Sequence, residues 1–327
     1  ISRFIPYDYT GRSEVSLTRE GVTVAVLFFF IITVCIFSMV NAFMEMRGKR
    51  AFVLSIFFLF SPGYLYMIER GNVVILSVLF VMFFLYNEYS EKKVMQELSL
   101  ISLACAACLK LYPVVYGVEL LLQRQYKKAL KSACYGVTIF IFPFFFRGGI
   151  EQIPHMIANI LSLSKETYVD SRGFGYGYKI NLTNFCQIAE DYLHINVPSS
   201  VLMGIVCVGI VLILLVSKEK WKRIYALTLF LTWIPTFSWI YNATYFLIPL
   251  TYFLKENRKV NFSSVVYCVL FLLIMIPLPF GYVLTSLPGW NKMSISTIMV
   301  HLGMVGIFIE LLGESVACFA QKMRSFF

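Results

Sequence analysis

The chain has few charged residues for its length. Asp, Glu, Lys and Arg make up 14% of its 327 residues, whereas a soluble domain is about one quarter charged. Hydrophobic residues account for 59% of the chain and include 31 phenylalanines. This composition excludes an ordinary soluble domain and indicates a protein embedded in a membrane.

Long hydrophobic runs are also scarcer than the composition suggests. Apolar runs lie near 21–44, 51–67, 73–87, 98–122, 132–146, 199–217, 224–238, 243–254, 261–284 and 294–319. Several of them are shorter than the roughly 20 residues that a simple membrane span needs, and Ser61-Pro62-Gly63 interrupts the second run. The sequence therefore predicts an all-α fold, a polytopic transmembrane helix bundle with short, broken helices, forming a single membrane domain over 1–327.

Potential metal ligands are few and scattered. The three histidines, His155, His194 and His301, have no second ligand at helical spacing, and seven of the eight cysteines lie in apolar runs. Cys105 and Cys108 are three residues apart, but no second ligand pair accompanies them. We therefore expect no metal site, no cofactor and no disulfide framework. The histidines are interpreted as structural, although an acid–base or ligand role for His301 stays open.

The net charge of +10 does not indicate a nucleic-acid partner, because the basic residues form short clusters between the apolar runs. These clusters lie near 47–50, 92–93, 124–131, 218–223, 255–259 and 322–324. The positive-inside rule places them in the cytoplasm. The linkers near 68–72, 147–198, 239–242 and 285–293 then face outward, and we expect an integral protein of a bacterial cytoplasmic membrane, in contact with its lipids and with its active site facing outward.

Lys110 lies inside the apolar stretch 98–122, shortly before Pro113. A lysine at membrane depth is costly unless an anionic group meets it. The alternation of inner and outer linkers requires the stretch to turn back as a hairpin at Lys110, close to the outer face. On this topology, four polar residues fall at outward helix ends: Arg70, Asn72, Lys110 and Tyr112. They suit a lipid phosphate or diphosphate, while simple anchoring at phospholipid headgroups is the alternative.

The segment 147–198 is predicted to be one large outer loop, extracytoplasmic on this topology. Apolar residues within it recur with helical periodicity, which predicts an amphipathic helix on the membrane surface or, as an equal alternative, a helix packed on the bundle. These residues are Ile153, Met156, Ile157, Ile160 and Leu161. Further on, glycines alternate with aromatic residues over 171–184, and we expect Tyr176, Tyr178 and Asn181 to stack on and hydrogen-bond a sugar. The alternative is a flexible surface turn.

One set of these residues resembles a known family. Gly71-Asn72 opens one helix, and Lys110-Leu-Tyr-Pro113 ends the next. This arrangement is similar to the core of glycosyltransferase family 87, whose members are multispanning enzymes of the GT-C type. The resemblance is strongest over about 60–150, and it implies a GT-C-like fold.

The resemblance also implies a reaction. A sugar, a mannose-like hexose or a pentose, moves with inversion from a polyprenyl-phosphate donor to a hydroxyl of a glycan or lipid acceptor on the outer face. The general base of the family is an aspartate in the first outer loop. The start at Ile1, with 1–6 resembling the tail of a helix, suggests that this loop lies upstream, so the catalytic residue is not assigned. Asp8 and Asp170 are weaker candidates for it.

Two other classes of function fit the same composition. A transporter or flippase for a lipid-linked glycan would use the same basic groups to hold phosphate, and an oligosaccharide polymerase or ligase also has many helices and one large outer loop. A transporter should carry polar residues through the bilayer midplane. Here the ionisable residues cluster at the predicted helix ends, which favours the enzyme.

Overall fold

The computed structural model describes residues 19–45, 49–146, 148–169, 176–256, 261–276, 282–284 and 292–324. Asp8 and Asp170 lie outside these residues. The predicted all-α, polytopic fold is confirmed, and the only strands among the described residues are two three-residue segments that pair antiparallel, β1 (Tyr282–Leu284) and β2 (Lys292–Ser294).

The α-helices of the described chain are α1 (Arg19–Met44), α2 (Lys49–Leu59), α3 (Pro62–Glu69), α4 (Val74–Asn87), α5 (Lys93–Leu109), α6 (Val118–Leu122), α7 (Tyr126–Ile141), α8 (Gln152–Val169), α9 (Leu182–Leu193), α10 (Ser199–Val216), α11 (Lys220–Trp233), α12 (Leu247–Glu256), α13 (Phe262–Met275) and α14 (Ile295–Arg324). Short 3₁₀ segments cover Tyr112–Gly117, Phe142–Phe146, Tyr176–Tyr178 and Ile240–Phe246.

Few of these helices are long enough to cross a membrane alone. By length and hydropathy, four candidate spans occur in the described residues: Arg19–Met44, Tyr126–Phe146, Ser199–Val216 and Ile295–Arg324. A fifth is the broken pair Phe52–Leu59 and Pro62–Glu69, which bends by 53°. Short and broken helices are thus a feature of the fold, as the sequence predicts.

The break between α2 and α3 has a local cause. Ser61 has an extended backbone, and its Oγ accepts a hydrogen bond from the backbone N–H of Tyr64, at 3.4 Å. Pro62 takes the first position of α3, where its missing N–H costs no hydrogen bond. The chain therefore stops one helix and starts another at this point.

The predicted turn at Lys110 is present. α5 ends at Leu109, Lys110 has an extended backbone with φ −154° and ψ 125°, and the 3₁₀ segment Tyr112–Gly117 follows. A Cβ added to Gly117 would lie 3.5 Å from Leu103 Cδ2. The chain after Lys110 therefore runs back along α5, so that Lys110 occupies the tip of a hairpin.

The periodic apolar residues of the large loop form a helix, α8. Ile157 is 48% exposed and Leu161 56% exposed, so the rest of the described chain leaves much of its apolar surface open. This exposure favours the membrane-surface interpretation over a helix packed on the bundle. By contrast, Ile180 is fully buried and Asn181 is 4% exposed, so the surface-turn alternative is wrong for this part of the glycine-rich segment.

Candidate active site

Four segments meet where α4 begins. They are the turn 70–72, the C-terminal end of α5, the segment 176–181 and the 3₁₀ segment Ile240–Phe246. α3 approaches the last of these closely, because a Cβ on Gly63 would lie only 2.9 Å from the backbone oxygen of Ile240. The Tyr245 hydroxyl donates to Ser77 Oγ at 2.8 Å, which ties this 3₁₀ segment to α4. The backbone is thus fixed before any functional side chain is placed.

Lys110 points from the tip of its hairpin into a pocket of about 220 Å³. This Lys110 pocket is lined by Asn72, Val73, Val74, Ser77, Leu109, Lys110 and Tyr241. Lys110 Nζ donates to Asn242 Oδ1 at 2.7 Å, and Nζ lies 4.5 Å from the centre of the Tyr241 ring and 5.8 Å from that of Tyr112. Such cation–π contacts contribute about 0.5–2 kcal/mol, depending on desolvation.

No carboxylate lines this pocket, and within the described residues Lys110 forms no salt bridge. Asn242 is fully buried, and its amide also donates to Ser238 Oγ at 2.9 Å. A neutral amide orients the ammonium without cancelling its charge. In its protonated form Lys110 therefore gives the pocket a positive charge, and an anion is the ligand that best offsets the cost of burying that charge.

Asn72 is held at the edge of the pocket by the turn that precedes α4. Gly71 has φ +57°, a conformation that favours glycine. Asn72 Oδ1 accepts from the backbone N–H of Val74 at 3.0 Å, and its side chain also interacts with the Tyr241 phenol. Two residues from the family-like pattern, Asn72 and Lys110, thus line one pocket although 37 residues of chain lie between them.

Aromatic rings cover one side of this region. The ring of Tyr66 stacks on those of Tyr178, Trp239 and Tyr241, with centroid distances of 4.8, 6.4 and 6.3 Å. We call these four rings the aromatic stack. The Arg70 guanidinium lies 5.1 Å from the centre of the Tyr66 ring. Tyr241 belongs to both the stack and the Lys110 pocket, so the two features are continuous.

The residues expected to contact phosphate are therefore near one another. Asn72 and Lys110 line the pocket, Tyr112 contributes a ring near Lys110 Nζ, and Arg70 lies on the stack. Tyr241 lines the pocket beside Asn72 and Lys110 and stacks on Tyr66, the ring over which the Arg70 guanidinium lies. Binding of a ligand by these residues stays a prediction.

The three residues expected to contact sugar do not share one position in the structure. Tyr178 is part of the aromatic stack. Tyr176 begins the 3₁₀ segment Tyr176–Tyr178, but its side chain lies outside the described residues. Asn181 caps α9: its Oδ1 accepts from Asn184 N at 2.8 Å, and its Nδ2 donates to the Thr236 carbonyl. These bonds use both polar groups of Asn181 within the protein.

Sequence reasoning did not select three residues that the structure places here: Tyr66, Tyr241 and Asn242. Tyr66 lies inside an apolar run, where nothing distinguishes it from a core residue. Tyr241 and Asn242 carried a usable signal, because a polar and an aromatic residue occupy the short linker 239–242, predicted to face outward like Lys110. Asn181 and Asn242 both begin a formal Asn-x-Thr sequence, but both are buried, which leaves neither accessible to a modifying enzyme.

Comparison with known proteins decides the family. The model of glycosyltransferase family 87 matches residues 17–277, which cover the Lys110 pocket and the aromatic stack. The chain belongs to glycosyltransferase family 87. It is therefore a membrane-embedded glycosyltransferase, and it takes a sugar donor and an acceptor as substrates. No curated protein and no solved structure matches the chain.

Among the described residues, no three His, Cys, Asp or Glu side chains are grouped to hold a metal ion.

Proposed function

We propose that this glycosyltransferase moves a sugar, a mannose-like hexose or a pentose, from a polyprenyl-phosphate donor to a hydroxyl of a glycan or lipid acceptor, on the outer face of the membrane. One observation carries the proposal. The ammonium of Lys110 lies in a pocket at the end of a helix hairpin and is oriented by a neutral amide rather than a carboxylate. Its charge stays available for the phosphate of the donor.

In the proposed reaction, the acceptor oxygen forms a bond to the anomeric carbon while the bond from that carbon to the phosphate oxygen breaks. The bonding electrons leave with the polyprenyl phosphate, whose negative charge grows as the bond breaks. Lys110, with Arg70 nearby, stabilises this growing charge, which is the form of electrostatic assistance that lowers a barrier most. Attack opposite to the leaving phosphate inverts the anomeric centre.

The proton of the acceptor hydroxyl must pass to a general base. No carboxylate lines the Lys110 pocket, so we assign this role to no described residue. The family resemblance implies an aspartate of an outer loop. The aromatic stack provides the faces on which a sugar ring packs, and Tyr178 is the member of the stack that the sequence also indicates. These roles all belong to the proposal.

The proposed orientation rests on the basic linkers. α4 separates the Lys110 pocket from the cluster around Glu88, Lys220 and Arg223, to which the basic linker 218–223 contributes. The positive-inside rule assigns that cluster to the cytoplasm. Because Lys110 lies at the other end of the bundle, the pocket would open toward the outer face, where lipid-linked sugar donors are used.

Anchoring at phospholipid headgroups is the competing explanation for Lys110. An anchoring lysine extends its ammonium toward water and lipid phosphate at the surface. Here Nζ instead donates to the buried Asn242 and packs against the ring of Tyr241. This geometry favours a ligand that enters the pocket over a lipid that only touches the surface.

The test is transfer of labelled mannose from polyprenyl-phosphate mannose in membranes that contain the full-length protein. Lys110→Gln keeps a polar side chain of similar length and removes the charge, so we expect activity to fall by about ten- to a thousandfold. Lys110→Arg should recover only part of it, since a planar guanidinium does not replace a compact ammonium. Lys131→Gln is the matched control, because Lys131 is an exposed lysine paired with Glu97. Wild-type transfer by Lys110→Gln would leave headgroup anchoring as the better explanation.

A further inference from the structure

A second group of polar side chains surrounds the ring of Phe185. The imidazole of His301 lies 5.6 Å from this ring, centre to centre, and the indole of Trp233 lies 6.3 Å from it. Asn184 is adjacent in sequence. All three polar residues are almost completely buried: His301 and Trp233 are each 2% exposed and Asn184 is 1% exposed. We call Asn184, Trp233 and His301 the His301 cluster.

Each member of the His301 cluster has a polar atom with no hydrogen-bond partner in the described part of the chain. These atoms are Asn184 Oδ1, Trp233 Nε1 and His301 Nδ1. A buried polar group without a partner costs about 1–3 kcal/mol. Such groups are rare in native proteins and call for a reason. Asn184 and His301 both face the Lys179 carbonyl, so their unpartnered atoms lie close enough to contact one polar molecule.

The other polar atoms of the cluster are already used, which fixes the orientation of each side chain. Asn184 Nδ2 donates to the Lys179 carbonyl at 2.7 Å, and His301 Nε2 lies 3.4 Å from the same oxygen. Because this acceptor faces Nε2, the neutral imidazole carries its proton there and leaves Nδ1 as an acceptor. Asn184 Oδ1 is also an acceptor, whereas the Trp233 N–H is a donor.

This mixture of donors and acceptors selects the ligand. A phosphate accepts hydrogen bonds and is bound by cations and N–H donors, so it matches the Lys110 pocket and not this cluster. A sugar hydroxyl both donates and accepts, and it carries no charge. We infer that the His301 cluster binds the hydroxyl groups of a sugar ring, as a second site next to the phosphate site.

A short path of backbone and side-chain bonds connects the two sites. Lys179 pairs with Trp239 as an antiparallel bridge, and the N–H of Ile180 donates to the Ser238 carbonyl at 2.8 Å. Asn242, the partner of Lys110, donates to Ser238 Oγ. The segment that carries the acceptor for Asn184 and His301 is therefore directly joined to the segment that orients Lys110. This inference rests on the proposed function, since the sugar hydroxyls belong either to the transferred sugar or to the acceptor glycan.

Two reciprocal substitutions test the assignment. His301→Asn places an amide atom near the position of Nδ1 and loses the atom that faces Lys179, whereas His301→Gln does the reverse. We expect methyl α-mannopyranoside to stabilise the detergent-purified wild type against heat, with methyl glucoside, galactoside and arabinofuranoside as comparisons. His301→Gln should bind the glycoside about tenfold more weakly, the equivalent of one hydrogen bond of about 1.4 kcal/mol, and His301→Asn should stay close to wild type.

Trp233→Phe provides a second, independent variant. It removes the unpaired N–H together with part of the indole ring, and it keeps an aromatic ring against Phe308, whose ring centre is 5.8 Å away. The lost volume should lower thermal stability without ligand, so the readout is the extra stability that the glycoside adds to each protein, which we expect to be smaller for the variant. If His301→Gln behaves as wild type while His301→Asn does not, the histidine serves only to brace Lys179 and the inference is wrong. It is equally wrong if none of the glycosides binds the wild type, in which case the cluster holds water alone.

Polyprenyl phosphate without a sugar separates this inference from the proposed function. All three variants should bind it as the wild type does, whereas Lys110→Gln should not. Failure of this lipid to bind the wild type would contradict the proposed phosphate site and leave the glycoside results intact. Polyprenyl-phosphate mannose distinguishes the sources: weaker binding of this lipid to His301→Gln assigns the hydroxyls to the donor sugar, and unchanged binding assigns them to the acceptor.

Discussion

At one end of α4, Glu88 and Glu119 are fully buried, and each pairs with a basic side chain, Lys220 and Arg223 respectively. At the other end Lys110 donates to the neutral amide of Asn242. The helix has 14 residues, so the two ends are about 20 Å apart. Both ends hold partly buried charge. Only the end with Glu88 and Glu119, which we call the paired end, balances its charges with opposite charges within the protein.

The paired end is organised for stability. Arg223 reaches Glu119 through both Nε and Nη2, at 2.6 Å for the shorter contact, and the Gln123 amide adds a hydrogen bond of 2.9 Å to the same carboxylate. Lys222 similarly pairs with Glu314 at 2.6 Å. These bonds join α6, α11 and α14. In these pairs each charge is balanced by an opposite charge, so neither partner can be removed singly without cost.

The largest effect is expected at this paired end. Glu119→Leu leaves Arg223 without a carboxylate in a partly buried position, and we expect the free energy of unfolding to fall by about 3 kcal/mol or more. Thermal unfolding in detergent measures it. Adding Arg223→Leu should restore much of the loss, because an apolar pair replaces the isolated charge. A double variant whose loss equals the sum of the two single losses would show that the pair is not coupled.

Asn242→Asp would make the Lys110 end resemble the paired end. The carboxylate keeps the geometry of the bond to Nζ but cancels the charge that, in our proposal, binds the donor phosphate. We expect sugar transfer to fall by about ten- to a hundredfold, or about 1.4–2.8 kcal/mol in the barrier, while the unfolding temperature stays equal or rises. A loss of stability together with activity would instead mean that Asn242 is needed mainly for folding.

A smaller effect is expected from Gly63→Ala. The new Cβ would meet the Ile240 carbonyl at 2.9 Å and Thr244 N at 3.2 Å, so α3 must move away from the segment that carries Tyr241 and Asn242. Overpacking of this kind costs about 1–3 kcal/mol. We expect reduced transfer together with a modest loss of stability. Gly204→Ala is the control, since nothing lies within 4 Å of its added Cβ.

The smallest effect belongs to an exposed ion pair. Lys131 and Glu97 are separated by 2.5 Å, but their side chains are 48% and 39% exposed. Solvent screens such a pair, so Lys131→Gln should change neither thermal stability nor sugar transfer. A clear loss of stability would show that this exposed ion pair stabilises the protein as the buried pairs do. Burial would then not explain the difference between the paired end and ordinary surface charges.

The two ends also differ in how far the sequence predicts them. Lys110 stands out as a single cation in an apolar stretch, and the proline three residues later predicts the break that the structure confirms. Asn72 follows from the same pattern. No local signal connects Lys110 with Asn242, because 131 residues separate them along the chain. Likewise, Glu119 lies close in sequence to the basic cluster 124–131, but its partner Arg223 is one of several basic residues in the distant cluster 218–223.

What the sequence by itself determined is the class of the protein, the presence of short and broken helices, and the breaks at Ser61–Pro62 and at Lys110, because these follow from hydropathy, proline and charge over a few residues. Only the tertiary structure decided which charges are paired, which rings stack on Tyr66 and which buried polar atoms of the His301 cluster lack partners. The physical reason is that a charge or a polar atom is satisfied by whatever lies within about 3 Å in space, and in a helix bundle that neighbour comes from a different helix.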